Sequence, residues 1–179
     1  MFIILRRLLK EASVPFGEAL QKGKPVLLDA DALNLLAAGK AAIPENSNII
    51  MTPHVGELSR LMGKEISYIK SHMIEVAKAA ALDYDSVMVC KDARTLVYAK
   101  GEPICLNVTG NSGMATAGSG DVLAGMIGGL LAQGMDAFKA ACVGVYLHGL
   151  AGDMAAGKYS EYGVTATGII AQIEEIMKG

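Results

Sequence analysis

The chain has 179 residues, of which 52% are hydrophobic and 19% charged, enough for a globular domain with a buried core. A formal net charge of −2 argues against a basic surface for nucleic acid or an anionic membrane. Cys90, Cys105 and Cys142 are scattered in apolar surroundings. This pattern indicates reduced thiols in a cytoplasmic protein and argues against a disulfide framework or a metal cluster.

We expect residues 2–22 to form a helix that bends near Pro15 and Gly17. The apolar run at its start is too short for a secretion signal, and its charges follow that run instead of preceding it. A second apolar run at 122–135 falls short of the ~20 residues that a membrane span needs. We therefore interpret it as a buried helix.

Short apolar runs without alternation are typical of strands covered on both faces, and they alternate here with helical patterns. Asp31 is the predicted N-cap of the first of these helices and Gly39 its end. A hairpin is predicted to turn at Lys100 and Gly101. In chain order the predicted elements are strand 24–30, helix 31–39, strand 47–51, helix 55–63, helix 67–82, strand 86–90, hairpin 95–107, and helices 120–132, 136–156 and 165–178.

This order predicts an α/β fold in which a largely parallel sheet is layered between helices, as a single domain over residues 1–179. Ligands of such sheets bind beyond the carboxyl ends of the strands. Polar or glycine-rich loops follow the apolar strands at those positions, and their convergence predicts a site there. The loops are DADALN (29–34), TPHVGE (52–57), KDART (91–95) and TGNSGMATAGSGD (109–121).

The last of these loops is the strongest candidate for an anion site. Gly118, Ser119 and Gly120 directly precede an apolar helix, where unpaired backbone N–H groups and the helix dipole favour an anion such as phosphate. The stretch matches neither a Walker A loop nor a G-x-G-x-x-G fingerprint. Asp121 should be ionised there, and so able to take a proton from a hydroxyl. The alternative is that Asp121 only stabilises the first turn of the helix.

Basic and hydroxyl side chains in the KDART loop are candidates for nucleotide contact. Lys91 and Arg94 are suited to phosphate and Thr95 to phosphate or ribose, whereas a solvated turn would contain the same residue types. Among the histidines, His54 follows a strand, while His72 and His148 lie in predicted helices and are interpreted as surface or core residues.

Acidic and amide residues of the first two loops complete the set of candidates. Glu57 would either help organise a metal or stabilise the first turn of its helix. Asp29, Asp31 and Asn34 are expected to line the same pocket, with one of them used in capping.

The four loops together resemble a known family. The segments LLDADALNLL, IIMTPHVGELSRLMG, VCKDARTLVYAKG and NVTGNSGMATAGSGDVLAGMIGGLLAQG are similar to the ADP-dependent NAD(P)H-hydrate dehydratases of the ribokinase-like superfamily. The resemblance extends from about residue 25 to the C-terminus. It implies repair of hydrated NADH or NADPH: a nucleotide donates a phosphoryl group to the hydroxyl of the hydrated ring, and phosphate then leaves.

The resemblance also implies roles for residues. Asp121 matches the family's acidic residue in G-S-G-D, which would deprotonate the ring hydroxyl, and Gly118 to Gly120 match the turn that stabilises the transferring phosphoryl group, with Mg²⁺ present. His54 matches a residue that contacts the hydrated cofactor, and Glu57 would help to organise the metal. The nucleotide is expected at Lys91, Asp92, Ala93, Arg94, Thr95 and Gly120, and the substrate at His54, Asn111, Asp31, Asn34 and Asp121. Homo-oligomers are expected.

One departure from the family concerns its N-terminal portion. Family members carry further strands and a G-P-G-L-G loop that helps to hold the substrate, and residues 1–23 match only the helix after that loop. The sequence is thus expected to be a C-terminal fragment or a shortened product. Two other readings stay open: a small-molecule kinase acting on a vitamin or sugar alcohol, and a catalytically silent nucleotide-binding chain.

Overall fold

The computed structural model describes residues 3–5, 25–40, 42–43 and 48–178. Its strands form one sheet in the order of the chain, β1 to β6. The first four strands are parallel, and the last two are added antiparallel as a hairpin. The strands are β1 Ile3–Leu5, β2 Val26–Leu28, β3 Ile49–Met51, β4 Val87–Cys90, β5 Leu96–Tyr98 and β6 Cys105–Leu106. The predicted α/β fold with a largely parallel sheet is confirmed.

Helices cover both faces of this sheet. They are α1 Asp31–Ala37, α2 Val55–Met62, α3 Ile66–Ser71, α4 Met73–Asp83, α5 Ser119–Ala132, α6 Ala137–Tyr159 and α7 Ala166–Met177. Short 3₁₀ turns lie at Ser112–Met114 and Glu161–Gly163. In the part of the chain that the structure describes, no helix combines the length and the apolarity that crossing a membrane requires.

The strand sequences explain the three layers. Successive side chains of a strand point to opposite faces of the sheet. Val26 and Leu28 accordingly pack in a core cluster with helices α1 to α4, while Leu27 packs in a second cluster with α5 and α6. Strands buried on both faces must be apolar throughout, which is why β2, β3 and β4 show no alternation.

Two predicted helices differ from the structure. Residues 3–5 form strand β1 instead of part of a helix, and the predicted bend at Pro15 and Gly17 lies outside the described residues. The helix predicted over 67–82 is broken at His72, whose φ and ψ are −130° and 34°. There the Ser71 hydroxyl donates to backbone carbonyls of the preceding turn, and such local bonds compete with the helical ladder.

The ends of the first helix differ in how well the sequence predicted them. Asp31 is the first helical residue, and the N-cap position belongs to Ala30, so the predicted Asp31 cap is wrong. Gly39 follows the end of the helix with a φ of +66°, as predicted, because glycine adopts this conformation without a steric penalty.

Candidate active site

The carboxyl ends of β2, β3 and β4 bring three polar side chains together. Asp29 follows β2, and its carboxylate Oδ1 accepts a hydrogen bond of 2.7 Å from the Thr52 hydroxyl that follows β3. Lys91, which follows β4, places its Nζ 2.8 Å from the same Oδ1. The Asp29 side chain is 2% exposed and that of Lys91 22% exposed. The sheet edge therefore holds a buried carboxylate beneath a lysine that reaches the surface.

His54 and Glu57 form the N-terminal cap of helix α2. The Glu57 Oε2 accepts from the His54 backbone N–H at 2.9 Å, and the His54 Nδ1 accepts from the Gly56 N–H at 2.9 Å. Because Nδ1 accepts, the proton of the neutral imidazole is on Nε2, which lies 3.4 Å from Glu57 Oε1. The Glu57 carboxylate, the sequence-based candidate for organising a metal, is thus engaged in a capping box.

The glycine run turns into helix α5 at its predicted position. Gly118 is the N-cap residue with a φ of +86°, and Ser119 and Gly120 are the first two helical residues. A side chain at Gly118 would be strained by the positive φ, and its Cβ would lie in tight contact, 3.1 Å, with the Cβ of Ala166. The Ser119 side chain is buried, whereas Asp121 in the same first turn is exposed. This geometry matches an anion-binding helix terminus.

A pocket of about 960 Å³ lies between this helix terminus, the KDART loop and helix α6. Nine residues predicted from the sequence line it: His54, Lys91, Asp92, Ala93, Arg94, Thr95, Asn111, Ser119 and Gly120. Six others are not among its lining residues: Gly118, Asp121, Asp29, Asp31, Asn34 and Glu57. The Asn34 side chain instead accepts from Arg60 Nε at 2.9 Å.

The segment from Asn107 to Thr116 forms another wall of the pocket, and helix α6 holds it in place. The Thr109 hydroxyl lies 3.1 Å from the Tyr146 carbonyl. The Asp153 carboxylate accepts from the Gly110 N–H at 2.8 Å and from the Asn111 side-chain amide at 2.9 Å. Helix α6 therefore holds the segment 107–116 in place through the Tyr146 carbonyl and the Asp153 side chain, about forty positions further along the sequence.

Three residues of α6 line the pocket and were not predicted as site residues: Val145, His148 and Gly149. A Cβ at Gly149 would lie 2.2 Å from Thr109 Oγ1, so a glycine is needed for the loop to approach the helix this closely. A glycine within a helical pattern is the sequence signal that indicates such an approach. His148 is buried, and its Nε2 lies 3.3 Å from Ser119 Oγ. The prediction of a surface or core histidine did not anticipate its place on the pocket wall.

The electrostatics of His148 follow from its surroundings. Burial lowers the pKa of its imidazole to about 4, with a further lowering by the Lys91 ammonium and an opposing effect of a hydrogen bond to the Ser119 backbone. The ring is therefore neutral at neutral pH. The positive character of this end of the pocket comes from Lys91 and from the N-terminus of α5.

Comparison with known proteins places this geometry in a family. A family model described as NAD(P)H-hydrate dehydratase matches residues 10–175. The ADP-dependent (S)-NAD(P)H-hydrate dehydratase of Neisseria meningitidis is 43% identical over 134 residues, which are 73% of this chain and 45% of that protein. The bifunctional NAD(P)H-hydrate repair enzyme Nnr of Escherichia coli is 40% identical over 164 residues, covering 89% of this chain and 31% of the enzyme. The chain thus spans less than half the length of these relatives.

A solved structure agrees with the sequence relatives. The ADP/ATP-dependent NAD(P)H-hydrate dehydratase of Bacillus subtilis, co-crystallised with ATP and Mg²⁺, superposes with a TM-score of 0.89 at 29% identity. The superposition covers 99% of this chain and 64% of that one. A ribokinase-like superfamily protein from Enterococcus faecalis also superposes on the chain, which confirms the predicted ribokinase-like fold.

Proposed function

This chain belongs to the NAD(P)H-hydrate dehydratase family, and we propose that it carries the nucleotide-dependent step that restores hydrated NADH or NADPH. The observation that carries the proposal is a single pocket lined by residues 91–95, the loop after β6 and the first turn of α5. These segments are among those in which the sequence resembles the family.

A nucleotide diphosphate or triphosphate fits the chemistry of this pocket. Its phosphates would lie at Ser119 and Gly120, where the helix N-terminus supplies backbone N–H donors and the positive end of the dipole. Lys91 adds a cation next to this terminus. The remaining wall, with Leu123, Val145 and Met114, offers apolar contact for a base or ribose.

The proposed reaction has two steps. In the first, Asp121 takes the proton of the ring hydroxyl while the hydroxyl oxygen bonds to the terminal phosphorus and the bridging P–O bond of the nucleotide breaks. In the second, the ring C–O bond breaks, inorganic phosphate leaves with that electron pair, and loss of the ring proton restores the double bond. The exposed Asp121 directly follows the pocket residues Ser119 and Gly120, and its carboxylate would lie beside the transferring group.

We propose that the substrate lies on the same side as Asp121, near the loops after β2 and β3. His54 carries its proton on Nε2 and can donate it to a ring or amide oxygen, as the Nδ1 hydrogen bonds indicate. Asp31, Asn34 and Asn111 would provide further polar contacts. The phosphate groups would thereby separate a nucleotide side from a substrate side.

Mg²⁺ fits this site through the nucleotide. Among the described residues, no group of three or more His, Cys, Asp or Glu side chains could hold a metal ion. Magnesium in nucleotide sites is usually held by substrate phosphates, water and one or two carboxylates. At this site Mg²⁺ would be held by the phosphate oxygens and water, and it would neutralise charge on the phosphates. Glu57 is engaged in its helix cap.

The proposal is tested by incubating the chain with hydrated NADH, Mg²⁺ and ADP or ATP and following the return of reduced-nicotinamide absorbance. Asp121→Asn should abolish turnover and leave nucleotide binding within about twofold, because the amide cannot accept the hydroxyl proton. Glu75→Gln, which removes one exposed carboxylate on α4, is the matched control and should not change turnover.

Other outcomes would favour the two competing readings. A stable phosphorylated product on a vitamin or sugar alcohol would identify a small-molecule kinase. Nucleotide binding by calorimetry without turnover would identify a catalytically silent binding chain. Loss of both binding and turnover would refute the proposal.

We further propose that the chain works in the cytoplasm as a homo-oligomer. Cys90, Cys105 and Cys142 are all free thiols, as expected in a reducing compartment. Light scattering coupled to size exclusion measures the oligomeric state, and a strictly monomeric chain would refute this part of the proposal.

A further inference from the structure

A buried contact links helix α6 to the first turn of helix α5. His148 is 8% exposed and Ser119 7% exposed, and both line the pocket. The imidazole Nε2 lies 3.3 Å from the Ser119 Oγ, within hydrogen-bond distance. Ser119 is the first helical residue of α5, so its hydroxyl is next to the backbone N–H groups that form the proposed phosphate site. Whatever sets the direction of this hydroxyl affects what the site can bind.

The tautomer of the neutral imidazole decides that direction. If Nε2 carries the proton, the ring donates to Ser119 Oγ, and the hydroxyl can donate its own proton into the pocket. If Nδ1 carries it, Nε2 accepts from the hydroxyl, which then presents only lone pairs to the pocket and repels an anion. Only the first arrangement adds a hydroxyl donor to the backbone N–H groups that would bind phosphate at this terminus.

On the basis of the proposed function, we propose that His148 is a positioning residue that donates from Nε2 to Ser119 Oγ and so directs the Ser119 hydroxyl proton toward the nucleotide phosphate. Keeping the ring uncharged has a second consequence. A charged imidazole next to Lys91 would add a buried cation whose desolvation is costly, whereas a neutral ring orients the hydroxyl without that cost.

The experiment measures ADP and adenosine binding by calorimetry for the unchanged chain, His148→Met, His148→Gln, Ser119→Ala and the double variant. Losing the oriented donor in His148→Met should weaken ADP binding about 3- to 10-fold, as for one neutral hydrogen bond, and should leave adenosine binding unchanged. His148→Gln retains an N–H donor near the Nε2 position and should restore ADP binding to within about twofold.

The double variant separates positioning from packing. If His148 acts only through the Ser119 hydroxyl, His148→Met should cause no further loss of ADP affinity in the Ser119→Ala background. A loss that persists there, or one that is equal for adenosine and ADP, would show a packing role and overturn the proposal. His72→Met serves as a control, because His72 is exposed and lies outside the pocket.

Long-range ¹H–¹⁵N NMR of the unchanged chain reads the tautomer directly. A proton on Nε2 of His148 supports the proposal, and a proton on Nδ1 overturns it, with no dependence on ligand binding. Absence of ADP binding by the unchanged chain would overturn the nucleotide site and this role together. ADP binding that is insensitive to His148→Met would overturn the positioning role alone.

Discussion

Replacing Lys91 by methionine should destabilise the fold, because the lysine neutralises a buried carboxylate. Its Nζ lies 2.8 Å from Asp29 Oδ1, and the Asp29 side chain is 2% exposed. Removing one partner of a buried pair costs about 3–5 kcal/mol. Lys91 is partly exposed and Thr52 still donates to Asp29 at 2.7 Å, so we expect the lower end, about 3 kcal/mol. For a chain of this size the midpoint of thermal unfolding should fall by about 6–12 °C.

The assay is a double-mutant cycle of Lys91→Met and Asp29→Asn, followed by thermal and urea unfolding. The double variant should be more stable than the sum of the single losses predicts, by about 2–3 kcal/mol, because it leaves no uncompensated charge. The control is the ion pair of Lys178 and Glu175, with nearly the same separation of 2.7 Å but side chains that are 67% and 54% exposed. Lys178→Met should produce no resolvable change in the midpoint.

If Lys91→Met proved as stable as Lys178→Met, the idea that burial strengthens the contribution of the Lys91–Asp29 pair to stability would be refuted.

The same variants also test the effect of Asp29 on ligand binding. Asp29→Asn removes a negative charge beside the lysine that lines the pocket, so ADP should bind more tightly to this less stable variant. Weaker ADP binding by Asp29→Asn would show that the carboxylate mainly positions the lysine.

Three further predictions concern helix α6. Between about pH 6.5 and 4 the unfolded chain binds a proton at His148 that the folded chain does not, so the free energy of unfolding should fall by about 3 kcal/mol as the pH drops through this window. Urea unfolding at a series of pH values measures this decline, which should be shallower in His148→Met. Gly149→Ala should destabilise the fold and weaken nucleotide binding, because the new Cβ would lie 2.2 Å from Thr109 Oγ1. Gly157→Ala on the same helix is the control: its Cβ would have nothing within 4 Å, and the variant should be more stable by about 0.5–1 kcal/mol. Equal melting temperatures of the two variants would contradict the clash at Gly149. Asp153→Ala should weaken ADP binding about 10-fold by releasing the pocket wall, and calorimetry showing unchanged affinity would contradict this indirect role.

From β2 onward the sequence was sufficient for the order of the strands, and it predicted nine of the residues that line the pocket. Strands β2, β3 and β4 are apolar throughout because both faces are covered, and that pattern is visible without a structure. The loops that follow parallel strands must lie at one edge, so Lys91 and His54 could be placed near Ser119 from sequence alone.

The contribution of helix α6 could not be predicted in the same way. Its hydrogen bonds to the loop join Asp153 to Gly110 and Asn111, across about forty residues. Neither the hydrophobic periodicity of a long helix nor a local motif indicates which face of the helix packs against a particular loop. The break at His72 was missed for a related reason, since hydrogen bonds of the Ser71 side chain overrode a helical pattern that is intact in the sequence.

Both basic side chains of the KDART loop are engaged within the protein. Lys91 pairs with Asp29, and Arg94 donates to the Val108 carbonyl at 3.1 Å. The first turn of α5, by contrast, contains backbone N–H groups that a helix leaves without intrahelical partners. The proposed phosphate recognition at this edge would therefore depend more on backbone donors and on the helix dipole than on side-chain cations. Under this proposal the glycine run is the more informative sequence signal, because glycine admits an anion to the backbone, whereas a lysine or arginine in a loop is equally compatible with an ion pair inside the protein.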